Sequence, residues 1–101
     1  MTISVKIQGA LANIILSGGI DYARQSELKK ANEQVLSDQR VKDIHVNFAA
    51  TTFLDSSGIR ALLTLQKEAD ASGRSLTLLH VNENMRDIFD IGGFDTIFTF
   101  Q

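Results

Sequence analysis

The stretch Ile44-His45-Val46-Asn47-Phe48, followed after four residues by Phe53-Leu54-Asp55-Ser56-Ser57-Gly58-Ile59, is where the apolar spacing changes from two to helical. Ile44, Val46 and Phe48 alternate with His45 and Asn47, the mark of a half-buried strand, because successive strand side chains point to opposite faces. The intervening Ala49-Ala50-Thr51-Thr52 is expected to form a short polar loop. From Ser56 onward, Ile59, Leu62, Leu63, Gln66 and Ala69 fall on one side of a helix. Ser72-Gly73 ends it, since glycine takes the left-handed closing conformation without a Cβ penalty. Leu76, Leu78 and His80, alternating with Thr77, Leu79 and Val81, then form another strand, and strand–helix–strand implies a parallel crossover. Apolar residues on both faces of this later strand put it near the sheet centre.

Upstream, Ile3, Val5 and Ile7 alternate with polar residues, Gln8-Gly9-Ala10 makes a turn, and Asn13 to Ser17 forms a second strand ending at Gly18-Gly19. Together they form an antiparallel hairpin. From Asp21 the period becomes helical, with Leu28, Ala31 and Val35 as the stripe, Leu36 widening it and Asp21 suited to cap it. This helix fades over Ser37-Asp38-Gln39-Arg40. Downstream, Asn82 caps a short helix carrying Met85, Ile88 and Phe89, closed by Gly92-Gly93. Phe94, Ile97, Phe98 and Phe100 supply a last strand. The order predicts an α/β fold: a mixed, mostly parallel sheet of about five strands with three helices, opened by an antiparallel hairpin. At 101 residues one domain, 1–101, is expected, because two cores would each be too small.

Composition narrows the function. A 44% hydrophobic, 22% charged chain of net charge −2 is an ordinary globule, and no basic excess points to nucleic acid or an anionic membrane. No apolar run approaches the ~20 residues of a bilayer span, and the N-terminus has no basic flank before an apolar stretch, so neither membrane insertion nor a signal peptide is expected. Cysteine is absent, which removes disulfide and thiolate chemistry and fits a cytoplasmic location. Proline is absent as well, leaving turns to the seven glycines and to Asn, Asp and Ser.

The chemistry concentrates at Asp55-Ser56-Ser57-Gly58, a loop-to-helix junction. A helix start carries unpaired N–H groups and the positive end of the macrodipole, so a hydroxyl there caps donors and a phosphate would be held by them more strongly. Phosphorylation of Ser56 would add roughly −1.5 to −2 charges where anions are tolerated, so its effect would fall on a docking partner and not on the fold. Gly58 adds no side chain, which would leave a partner room to approach. Taken alone, the motif is better explained as a plain capping sequence. A nucleophilic serine would need a base, and the two histidines, His45 and His80, both lie in expected strands, so no enzyme is expected. The phenylalanines near the C-terminus fit core packing, and Gly18-Gly19 and Gly92-Gly93 fit turns better than a phosphate loop. No metal-ligand spacing is present, and no cofactor is expected.

The run Thr52-Phe53-Leu54-Asp55-Ser56-Ser57-Gly58-Ile59 resembles the signature of the STAS domain family, found in anti-sigma factor antagonists and in sulfate-transporter tails. Gly18-Gly19-Ile20-Asp21 resembles the family's turn before the first helix. Asp43 to Phe48 resembles its central strand, and Met85 to Phe94 its late short helix and turn. The resemblance spans nearly the whole chain and implies a STAS-like fold. In stand-alone members the first serine after the signature aspartate is the phosphoacceptor, here Ser56. Asp21, Asp55 and Ser57 match the surroundings of that site, with Ser57 the rival acceptor, and Arg60 stands where many antagonists have a small residue. The implied function is partner switching without direct nucleic-acid contact. The unphosphorylated domain binds an anti-sigma factor, often itself a serine kinase; phosphorylation releases it, and a PP2C-type phosphatase restores binding. The alternative is a non-phosphorylated STAS subunit of a lipid-transport ABC complex. Members commonly carry a further helix after the last strand, where this sequence stops at Gln101; that arrangement would leave part of the sheet for a partner or a second copy, as in a homodimer.

Overall fold

The computed structural model describes residues 2–101. Its elements are β1 (Thr2–Gln8), β2 (Leu11–Ile20), a 3-10 turn (Tyr22–Arg24), α1 (Gln25–Leu36), β3 (Asp43–Leu54), α2 (Ser56–Ala71), β4 (Ser75–Leu79), α3 (Glu83–Ile91) and β5 (Thr99–Phe100). The strands lie in sheet order β1-β2-β3-β4-β5. β1 pairs antiparallel with β2, and the later pairs are parallel, as the helical connections require.

Register places one face of the sheet in the core. Ile3, Val5 and Ile7 stand opposite Leu16, Ile14 and Ala12, while Ile44, Val46, Leu76 and Leu78 continue the same face across β3 and β4. Onto it pack Leu28, Ala31 and Val35 of α1, Ile59, Leu62, Leu65 and Ala69 of α2, and Met85 and Phe89 of α3, all in one cluster. The alternate residues Asn13, Ile15, His45, Asn47, Thr77 and Leu79 are half-buried on the other face. The phenylalanines pack as core: Phe89 meets Phe98 and Phe100 edge-on, with centroids 5.5 and 5.4 Å apart.

Four boundaries differ from the sequence expectation. The loop expected over 49–52 is strand, because β2 does not stop at Gly18 but runs to Ile20 and pairs with β3 as far as Leu54. The partnering absorbs two extra β3 residues through register shifts, so after Phe48 the buried positions are Thr51 and Leu54 and the alternation is lost. β4 ends at Leu79, since His80 takes a positive φ of 59°. The last strand shrinks to Thr99–Phe100. Phe94 instead closes α3, donating its N–H to Phe89 O (2.8 Å) with Gly93 at φ 76°, and the turn that follows turns Phe98 into the core. Finally, Asp21 caps the 3-10 turn, accepting from Arg24 N, and not α1 itself. Within α2, Leu65 is buried while Leu63 and Gln66 are half-buried.

The expected end of α2 is found. Gly73 has φ 71° and Arg74 N–H returns to Ala69 O at 2.9 Å, the Schellman pattern. In the turn after α1, Arg40 pairs with Asp38 (2.9 Å) and its hydrogen bonds hold that carboxyl down to about 2.

Candidate functional site

Two neighbouring strand ends build the site. Ile20 and Leu54 are partners in the last rung of the β2–β3 ladder, so the next residues, Asp21 and Asp55, emerge side by side from the carboxyl edge of the sheet. Asp55 N–H donates to Ile20 O at 3.1 Å, tying the two exits together. Each aspartate then opens a helical segment. Asp21 accepts from Arg24 N–H (3.1 Å), and Asp55 Oδ1 accepts from Ser57 N–H (2.9 Å) and Gly58 N–H (3.1 Å).

The cap of α2 is therefore the aspartate, and Ser56 is the first helical residue, exposed to solvent. Ser57, its neighbour, is half-buried and its N–H is committed to the cap. Gly58 has a different role from the one its position in the sequence indicates. It is buried, and a Cβ there would lie 2.3 Å from Leu54 Cδ1 and 2.8 Å from Ile20 Cγ2. Its missing side chain lets the helix start sit down on the strand ends. Arg60 is exposed one turn along α2, at the mouth of a groove between α1 and α2 that Lys29, Asn32, Glu33 and Glu68 also line. Asp21, Asp55, Ser56, Ser57 and Gly58 are thus brought together, with Arg60 flanking them.

Spacing alone did not single out three further residues. Phe53, the residue before Leu54, is 47% exposed, and its ring lies over Gly19, its cross-strand partner; a Cβ on Gly19 would fall 2.1 Å from Phe53 Cε1. Tyr22, directly after Asp21, is 74% exposed. Two aromatics therefore flank the paired aspartates, and the signal for them was a large apolar residue next to a polar junction. Asn32 is buried between the helices, with Nδ2 donating to Ala61 O at 3.4 Å; it interrupts an otherwise apolar stripe, which is the signal it left. The histidines lie back along the sheet from Ser56: His45 is roughly 30 Å of extended strand from Leu54, and His80 follows Leu79, which pairs level with Asn47, well short of Leu54 on β3.

Chemically the arrangement offers an exposed hydroxyl on a helix already capped by its neighbour, at a strand exit that also carries carboxylates and exposed aromatics. That suits a reversible modification read by a docking partner. The family model described as "Mlab, STAS domain" matches residues 3–99. An anti-sigma-B factor antagonist from Staphylococcus epidermidis is 33% identical over 81 residues, covering 77% of this chain and 71% of that protein. Among solved structures, the anti-sigma factor antagonist SpoIIAA in its unphosphorylated form superposes with a TM-score of 0.79 at 22% identity, over 99% of this chain and 87% of that one. The same Bacillus protein in its phosphorylated form gives 0.78, again at 22% identity, over 99% and 91% of the two chains. An anti-sigma factor antagonist from Mycobacterium paratuberculosis gives 0.86 at 20% identity, over 98% and 83%. These structural likenesses establish the mixed five-stranded fold.

Proposed function

The chain belongs to the STAS domain family, and on that footing we propose that it is an anti-sigma factor antagonist working by partner switching. Unphosphorylated, it binds an anti-sigma factor that is also a serine kinase. Phosphorylation at Ser56 releases that partner, and a PP2C-type phosphatase resets the switch. The observation that carries this reading is the division of labour at the helix start: Asp55 makes the cap and Ser56 stays exposed. A hydroxyl that the helix does not need can be modified without unfolding it. The names of the Staphylococcus and Bacillus relatives support the role, as does the solution of SpoIIAA in both phosphorylation states.

Docking would centre on the aromatics. Tyr22 and Phe53 supply exposed apolar area beside Asp21, Asp55 and Ser56, the mix of aromatic anchor and polar rim found at interfaces. A phosphate set among them brings charge and a hydration shell that an apolar contact cannot accommodate. The chain acts here as a binding module, and the cytoplasm, where such a kinase works, is its location. Among the described residues no helix is long and apolar enough to cross a membrane.

A second reading is kept because the matching family model carries the description Mlab. In it the domain is a non-phosphorylated subunit of a lipid-transport ABC complex and uses the same surface permanently. The test is binding to the cognate kinase. Ser56→Asp should weaken it at least about tenfold, some 1.4 kcal/mol, while circular dichroism and melting stay near wild type. Unchanged affinity would sink the switch. Co-purification with an ATPase subunit, and no phosphoserine by mass spectrometry, would favour the second reading.

A further inference from the structure

We infer that Arg60 is the counter-charge that holds a phosphate on Ser56, so that phosphorylation also withdraws this arginine from the docking surface. The inference rests on Ser56 as the acceptor and begins with the helix start. A phosphate at a helix N-terminus ordinarily takes the free N–H groups of the first turn. Here those that follow Ser56 are occupied. Ser57 and Gly58 N–H go to Asp55 Oδ1 (2.9 and 3.1 Å), and Ile59 N–H goes to Asp55 O (3.0 Å). The phosphate would instead find the Asp55 carboxylate beside it, with Asp21 on the adjoining strand exit. It therefore needs a cation from a side chain.

Arg60 is that cation by position. It lies four residues after Ser56 on α2, and residues at this spacing share a helix face. The order is also the favourable one, with the anion N-terminal to the cation. Among the described residues Arg60 makes no ion pair, whereas Arg24, Arg40 and Arg86 do. It is exposed, so the guanidinium is free to swing, and its planar fork matches two phosphate oxygens. Lys29 lines the same groove from α1, further along, and Glu33 and Glu68 line it too. Those carboxylates are the competitors for Arg60 in the unmodified state.

The consequence is a two-part switch. Before modification Arg60 is available to a carboxylate on the partner; afterwards it is folded back onto the chain's own phosphate. One covalent event adds an anion to the surface and removes a cation from it.

The test installs phosphoserine at position 56 during translation, so that it does not depend on any kinase, and follows the second phosphate ionisation by phosphorus NMR. That ionisation lies at about pH 6 in free phosphoserine. Arg60 stabilises the dianion, so in Arg60→Gln the midpoint should rise by roughly half a pH unit, with Arg60→Lys between the two. Lys29→Gln should leave it near wild type. Midpoints that agree within about 0.1 unit between wild type and Arg60→Gln would overturn the pairing. If the shift is present but no kinase modifies Ser56, the pairing stands and the partner-switching role fails.

Discussion

Asp55 and Ser56 are adjacent and polar at the same helix start, yet the structure assigns them opposite kinds of importance. Asp55 closes two first-turn donors, and Ser56 projects into solvent one residue later. Asp55→Ala should cost about 1 kcal/mol in urea unfolding, the usual loss for a cap, because Ser57 and Gly58 N–H lose their acceptor. Ser56→Ala should stay within about 0.5 kcal/mol of wild type, as surface changes do. If the two costs were reversed, Ser56 would be the cap and its modification would act on folding. Sequence alone could not divide the two roles, since both residue types cap helices well. Nor could it say that Gly58 faces Leu54 and Ile20 and not a partner, because that depends on how the helix start approaches the strand ends.

Arg74 shows how one side chain joins elements. It follows α2, and its guanidinium donates to Leu36 O and Asp38 O (3.1 Å each) and to Val41 O (2.9 Å), with Ser72 Oγ accepting a fourth bond at 2.9 Å. The end of α2 is thereby pinned to the connection between α1 and β3. Arg74→Ala should lower stability by roughly 1–3 kcal/mol by removing these bonds to part-buried carbonyls, and Arg74→Lys should restore little, because an ammonium cannot reproduce the fork. Thermal or urea unfolding of the two variants checks this, and a full rescue by lysine would show that charge alone matters. Helix ends at Gly73 and Gly93 were legible because a left-handed residue has a strong sequence signature. The far half of β3 was not. Its short side chains carry no period of two, and it is a strand because β2 is there to pair with it.

At the scale of the molecule the sheet is uneven. β2 and β3 pair from Leu11–Asp43 to Ile20–Leu54, while β5 meets β4 only at Thr77–Thr99 and Leu78–Phe100. Hydrogen exchange should follow this. The amides joining β2 to β3 should open only with global unfolding, and Gln101 N–H, bonded to Leu78 O, should exchange at least ~100-fold faster by local fraying. Equal protection at both places would mean that the edge is held by more than its two-residue ladder and the Phe89–Phe100 contact. By itself the sequence determined the order of elements, the mixed parallel sheet, most of the core and the serine at the second helix start. Hydrophobic period and helix-end chemistry are local, and a single chain displays them directly. Tertiary structure decided where β2, β3 and the last strand end, that Asp21 and Asp55 emerge together, and that Tyr22 and Phe53 stand exposed beside them. It also decided that the N–H donors of Ser57, Gly58 and Ile59 are already taken. Each of those depends on strand pairing or on which face a neighbour covers, and neither has a signature within one segment.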